Sequence, residues 1–209
     1  MTQAPTLDRY FSDLYGASED PYQLRTRWYE QRKRAILLGS LPCTRYANAY
    51  EPACGAAELS VALATRCDRL LVSDFCEGAV QAARRRTAAL PQVRVEQHCL
   101  PQDWPHRHGP FDLIILSELG YFLDSHCWGD VAQACLASLS DEGDLVACDW
   151  RPDFAERRQS TDAVHGVLGA LGLHALARHE ESDFLLQVWS RNPRSVAQRE
   201  GIRGADGVG

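Results

Sequence analysis

The sequence predicts an α/β fold: a mostly parallel sheet of seven strands, flanked by helices and closed by an antiparallel C-terminal hairpin. Three observations predict it. From residue 46 to residue 171, short apolar runs alternate with helical patterns, the signature of a parallel sheet with right-handed crossovers. The run Leu113-Ile114-Ile115-Leu116 is continuous rather than alternating, as in a strand buried on both faces. The last two strands are joined by Glu180–Asp183, far short of the roughly dozen residues a parallel crossover needs, so they pair as a hairpin.

The elements follow in order. Tyr10, Phe11, Leu14 and Tyr15 recur at helical spacing, and Asp20-Pro21 breaks that segment. Gln23 to Leu41 reads as a long helix with Leu24, Trp28, Ile36 and Leu37 on one side, ended by Pro42. Strand Tyr46–Pro52 leads to helix Ala56–Arg66, strand Arg69–Asp74 to helix Glu77–Ala89, and strand Val93–His98 to the loop Leu100–Pro110. Phe111–Ser117 is the clearest strand. Ser125–Ser138 is a helix with Asp124 or Ser125 as N-cap. Asp141–Asp144 reads as a turn, Leu145–Trp150 as a strand, and Asp162–Leu171 as a helix capped by Ser160 or Thr161. His174–His179 and Phe184–Ser190 make the hairpin. Residues 193–209 hold four glycines and little apolar content, which predicts a disordered tail.

Composition narrows the function. The chain has 209 residues, 45% hydrophobic and 24% charged, as a globular domain does. The formal charge of −6 argues against nucleic acid as a partner, which calls for a basic face. No apolar run approaches the ~20 residues of a membrane span, and the N-terminus lacks the pattern of a secretory signal, so a cytoplasmic protein is expected. Eight cysteines occur without any Cys-x-x-Cys, and most lie among Ala, Val and Leu, so they read as reduced, structural thiols. The best ligand-like cluster is His98-Cys99 with His106 and His108. It falls in a Pro-rich loop, and no metal is expected. Lys33 is the only lysine, which reads as composition rather than chemistry.

In an open α/β sheet, ligands bind beyond the carboxyl ends of the strands. The first strand ends in Glu51-Pro52-Ala53-Cys54-Gly55-Ala56-Ala57, and the second in Asp74, 23 residues after Glu51. An acid at that distance suits a ribose diol, and it suits a helix N-cap equally. The third strand runs into Cys99-Leu100. The fourth ends in Ser117-Glu118, followed by Tyr121, and the fifth in Asp149-Trp150-Arg151. Polar and aromatic groups thus collect after successive strands.

These pieces, in this order, resemble class I S-adenosyl-L-methionine-dependent methyltransferases and, among them, the nodulation protein S family. The resemblance rests on Asp20-Pro21-Tyr22, Trp28 to Ala35, Glu51 to Gly55 and Cys67 to Asp74. It continues through Phe111 to Glu118, Tyr121-Phe122-Leu123, Trp150-Arg151-Pro152 and Glu181 to Trp189. It implies a Rossmann-like core over residues 43–192 beneath an N-terminal helical lid over residues 1–42, with the tail from 193. It further implies that Glu51, Ala53, Cys54 and Gly55 wrap the methionine part of the cofactor and that Asp74 holds the ribose. Phe75 would lie against the adenine, Cys99 and Leu100 would read its amine, and Ser117 would floor the site. Tyr22, Trp28 and Arg32 become lid contacts, with Arg32 placed to pair the cofactor carboxylate. Two departures stand out. Gly55 is the sole glycine of a loop that is usually glycine-rich, and a left-handed alanine costs ~1–2 kcal/mol. Cys99 replaces a common acid, and a thiol is a poor acceptor for an amine.

The reaction implied is methyl transfer, with S-adenosyl-L-homocysteine as product, to a small-molecule acceptor. An amine or amino-sugar nitrogen leads, and a hydroxyl follows. Glu118, Asp149 and His165, in that order, are the candidate bases, and Tyr121, Trp150 and Arg151 the acceptor contacts. Monomer and homodimer stay open. Two other classes compete. A methyltransferase-fold protein could bind the cofactor without transferring methyl. A nicotinamide- or flavin-dependent enzyme would want Gly-x-Gly-x-x-Gly, which Ala53 to Glu58 does not supply. Base methylation is disfavoured by the charge and by the absence of an Asn/Asp-Pro-Pro-aromatic motif after the fourth strand.

Overall fold

The computed structural model describes residues 7–203. Seven strands form one sheet: β1 (Ala49–Pro52), β2 (Leu70–Asp74), β3 (Val93–Gln97), β4 (Phe111–Ser117), β5 (Leu139–Trp150), β6 (His174–Glu180) and β7 (Phe184–Ser190). Their order is β3-β2-β1-β4-β5-β7-β6. The pairs among β1 to β5 are parallel, and β7 runs antiparallel to both β5 and β6. This is the predicted class I methyltransferase topology, hairpin included. The chain winds outward from β1 to β3, then returns to β4 and winds the other way. The carboxyl ends of β1 and β4 therefore flank the switch point where a ligand binds in such sheets.

The continuous apolar run of β4 feeds two cores. Leu113 and Ile115 pack with Leu37, Leu63, Val72, Val146 and Leu186 on one face, under α2 (Trp28–Gly39), α3 (Glu58–Ala64) and α4 (Glu77–Thr87). Ile114 and Leu116 pack with Tyr50, Trp128, Val131, Leu168 and Trp189 on the other, under α5 (Ser125–Ser138) and α6 (Thr161–Gly169). Each such side chain, fully buried, contributes about 1.5–3 kcal/mol. Asp124 accepts from the Cys127 amide and Ser160 from the Ala163 amide, so the first-named cap is the one used in each helix. No helix among the described residues is long and apolar enough to cross a membrane.

Three boundaries differ most from the sequence reading. α2 starts at Trp28 rather than Gln23. The Asp20 carboxylate accepts from the Leu24 and Arg25 amides, and Gln23 is left-handed (φ 57°), which builds a turn where a helix was expected. The first strand starts at Ala49 rather than Tyr46, because the Asp112 carboxylate takes the Ala47 and Asn48 amides away from the sheet. β5 begins at Leu139, and the polar stretch expected as a turn is a wide bulge. Phe111 pairs with Leu139 and Leu113 with Asp144, so the intervening residues loop out. Gly143 sits inside this bulge, where a Cβ would lie 3.0 Å from the Phe111 carbonyl oxygen.

The tail expectation fails over residues 193–203. There the short helix α7 (Val196–Arg199) carries a full capping box between Ser195 and Gln198. The Arg199 guanidinium reaches under the sheet, 3.4 Å from the fully buried Asp144 carboxylate and 2.8 Å from the Ser190 hydroxyl. A buried carboxylate needs a cationic partner, and this segment supplies it. Residues 204–209 lie outside the described residues.

Candidate active site

The loop leaving β1 closes on the aspartate that ends β2. Ala53 (φ 54°), Gly55 (φ 53°) and Ala57 (φ 62°) are all left-handed, a curl that turns backbone amides inward. The Gly55 amide donates to Asp74 Oδ2 (3.0 Å), the Cys76 amide to Asp74 Oδ1 (3.0 Å), and the Cys54 amide to the Ser73 carbonyl (2.9 Å). Two alanines thus carry the strain anticipated for this loop, ~1–2 kcal/mol each, and the bonds around them hold it. Burial pushes the Asp74 carboxyl up, against the backbone amides that pull it down. A carboxylate offers about four lone pairs, so Asp74 keeps acceptor capacity beyond the amides.

Glu51, at the end of β1, is 3% exposed, and its Oε2 has no hydrogen-bond partner. Burial pushes its carboxyl up to about 8. The folded protein therefore holds a proton on Glu51 that the unfolded chain releases near its ordinary value of 4.5. By linkage, this stabilisation is full below about pH 4.5 and is lost as pH rises through about 8. Thermal unfolding from pH 5 to 8 is expected to show a fall in Tm that Glu51→Gln flattens. Parallel curves for the two proteins would mean Glu51 is ionised throughout.

The hollow bounded by this loop and Asp74 is filled by α1 (Leu7–Ala17). A Cβ on Gly55 would lie 2.6 Å from the Tyr15 hydroxyl, and one on Gly78 would lie 2.8 Å from Tyr15 Cβ. Phe11 meets Phe75 edge-on at 5.5 Å and Phe122 at 5.2 Å. The Phe75 ring, expected against an adenine, thus contacts a ring of its own chain. Tyr22, in the turn after α1, has its phenol pushed up by burial and by its neighbour Tyr10 of α1. The walls anticipated from sequence come together, but with α1 side chains between them.

Other expected contacts are dispersed. Trp28 is 73% exposed. Arg32 is committed to Glu181, with Nη1–Oε2 2.9 Å and Nη2–Oε1 2.7 Å. That pairing, with His179, holds the Glu181 carboxyl down to about 2. Cys99 is exposed, and its amide donates to the Asp103 carboxylate at 2.9 Å, while Leu100 packs on the second core. The Arg151 guanidinium binds Glu180 and the Glu181 carbonyl in the hairpin. Among the described residues, no group of three or more His, Cys, Asp or Glu side chains could hold a metal ion.

The rim beyond β4 and β5 is a second polar cluster. Ser117 donates to the Cys148 carbonyl (3.2 Å). Glu118 is left-handed (φ 57°), and its carboxylate takes three donors: Lys33 Nζ on Oε1 (2.6 Å), and the Trp150 amide (3.0 Å) and Tyr121 hydroxyl on Oε2. Lys33 also meets Glu30 Oε2 at 3.1 Å and lies 5.3 Å from the Tyr29 ring centre. Burial opposes the charge on Lys33, but Glu118 and Glu30 outweigh it and raise its pKa. Sequence reasoning missed Lys33. The signal available was a lone lysine among arginines, three residues after Glu30 on one helix face.

Asp149 and His165 meet as a pair. His165 Nε2 is 3.0 Å from Asp149 Oδ2, and Nδ1 is 2.9 Å from Gln187 Oε1. Both are at most 3% exposed, and burial pushes the Asp149 carboxyl up, against His165. So closed a dyad braces β5, α6 and β7; the bases expected there are internal supports in this conformation. Tyr121 is 4% exposed, under the Arg157 guanidinium at 4.8 Å. Trp150 meets Tyr29 edge-on at 5.7 Å.

Comparison with known proteins follows this geometry. The family model for nodulation protein S matches residues 8–159. Nodulation protein S of Rhizobium tropici is 32% identical over 162 residues, which is 74% of this chain and 65% of that protein, so the chain spans under two thirds of that relative. The crystal structure of a candidate methyltransferase from Pseudomonas syringae is 46% identical over 78% of this chain and 99% of its own, with a TM-score of 0.71. The N-methyltransferase of this name from Bradyrhizobium japonicum, solved with S-adenosyl-L-homocysteine, is 23% identical, with 90% and 98% coverage and a TM-score of 0.76. The family model covers well over half of the chain, across the loop, Asp74 and the rim, and on that ground the chain belongs to the nodulation protein S family.

Proposed function

We propose that the chain is an S-adenosyl-L-methionine-dependent methyltransferase acting on the amine nitrogen of a small-molecule acceptor in the cytoplasm. One observation carries the reading: the left-handed loop 53–57 and the Asp74 carboxylate are locked together at the switch point of the sheet. The residues fit the cofactor. Asp74 retains lone pairs for a ribose diol. The orphaned Glu51 oxygen is an acceptor for the ammonium end. Tyr15 and Phe11 must withdraw first.

When bound, S-adenosyl-L-methionine supplies a methyl group made electrophilic by its sulfonium. The task left to the chain is to orient a nucleophile, worth ~7–11 kcal/mol when complete. Nitrogen is favoured over oxygen by the charge at the rim. Two carboxylates, Glu30 and Glu118, face one ammonium there, beside the Tyr29 and Trp150 rings. This surplus of negative charge attracts an amine in its cationic form, and aromatic faces add to it; the amine gives up a proton to a carboxylate or to water before its lone pair takes the methyl group.

The test is calorimetry with S-adenosyl-L-methionine and S-adenosyl-L-homocysteine, then mass spectrometry of amine, amino-sugar and hydroxyl acceptors. A folded protein with no affinity for either ligand would remove the reading. Binding without transfer would favour a protein that holds the cofactor only, the alternative that the α1 side chains in the hollow support. Replacing Tyr15 by Ala is expected to strengthen cofactor binding by up to about tenfold, because the ligand no longer displaces a buried ring. Weaker binding would mean that Tyr15 is a ligand contact rather than an obstacle.

A further inference from the structure

We infer that Lys33 is a positioning residue for methyl transfer, holding the Glu118 carboxylate so that Tyr121 and Trp150 are set around the acceptor. The inference rests on the reading above and adds a residue which that reading does not contain.

The geometry is specific. Glu118 is the junction of three elements: α2 through Lys33, the turn Gly120–Phe122 through the Tyr121 hydroxyl, and the end of β5 through the Trp150 amide. Its own backbone is left-handed, a conformation unfavourable to a non-glycine residue that persists where side-chain bonds enforce it. Burial, with the Glu118 carboxylate beside it, pushes the Tyr121 phenol up, so this hydroxyl stays a donor toward Glu118. All three donors converge on one carboxylate, so its placement sets theirs.

Lys33 is what keeps that carboxylate in place. It is 8% exposed, and it is the only lysine of the chain. A buried ammonium is costly unless paired, and here it is paired twice, to Glu118 at 2.6 Å and to Glu30 at 3.1 Å. A neutral side chain at 33 leaves Glu30 and Glu118 facing each other without a counter-ion. The Glu118 carboxylate then swings away from Glu30 toward solvent. That movement frees the Tyr121 hydroxyl and the Trp150 amide together. Acceptor geometry is lost while the loop and Asp74 are untouched.

Lys33→Met is therefore expected to lower kcat about 100-fold, the scale of a small misplacement at a reacting centre, with cofactor affinity held within about threefold. A merely structural lysine would lower stability and cofactor affinity together with kcat, not kcat alone. Lys33→Arg, which keeps the charge, should recover most of the rate. Glu118→Gln should add little to Lys33→Met, because both act through one carboxylate. A lysine-specific 15N label gives a single Nζ resonance, expected to shift on Glu118→Gln.

A wild-type protein that transfers methyl while Lys33→Met matches it in rate overturns the proposal. So does a resonance indifferent to Glu118→Gln. A cofactor affinity that falls in step with kcat would make Lys33 structural. If the wild type transfers no methyl, the functional reading fails before any variant is made and takes this proposal with it.

Discussion

Replacing Asp74 by Ala is expected to lower affinity for S-adenosyl-L-methionine at least about 100-fold, or about 2.7 kcal/mol. Two losses add. The Gly55 and Cys76 amides lose their acceptor at a residue only 8% exposed, and each unsatisfied amide costs about 1–3 kcal/mol. The left-handed curl of 53–57 then loses the bond that ties it to β2, so its amides no longer converge. On the proposed reading the ribose also loses a charged acceptor, worth about 1.5–3 kcal/mol. The fold should survive, because the loop can relax and let water reach the freed amides. Asp74→Asn keeps one acceptor oxygen and should fall between. Calorimetry reads the affinity and thermal unfolding the fold. Unchanged affinity in a folded Asp74→Ala protein would show that the ribose is held elsewhere.

The second large effect is on stability. Arg199→Met is expected to cost about 3–5 kcal/mol, the penalty for leaving a buried carboxylate without its cation. For a domain of this size that lowers Tm by roughly 6–20 °C. Asp144 is fully buried, and besides Arg199 it has the Tyr46 hydroxyl at 3.0 Å and the Cys43 thiol at 3.7 Å. Adding Asp144→Asn removes the charge and should restore most of the loss. If the single variant melts with the wild type, the pair is not what anchors residues 193–203.

The Asp144–Arg199 pair also shows why part of the fold was hidden in the sequence. Element order was legible because buried strands and amphipathic helices leave local periodic patterns. The anchor of α7 is not local: it joins residues 55 apart in sequence, and a glycine-rich composition concealed it. β5 was read short because Asp141-Glu142-Gly143-Asp144 has turn chemistry, whereas its bulge is set by pairing with β4. In the site, Gly55 and Asp74 were legible because a strand end fixes where a loop begins. Tyr15 was seen only as helical spacing, since nothing in a sequence says which hollow a helix covers. Arg32 was named for a carboxylate and found one in Glu181, 149 residues away. Glu118 follows β4 as its sequence position requires, but its partner Lys33 comes from another layer of the fold.

The burial of Lys33 has one more consequence. Every other basic side chain on the molecule is a guanidinium or an imidazole, and the single primary amine among the side chains is enclosed and ion-paired. On the proposed reading of an enzyme that methylates amines, the one lysine side chain that could rival the acceptor is thus already enclosed and ion-paired.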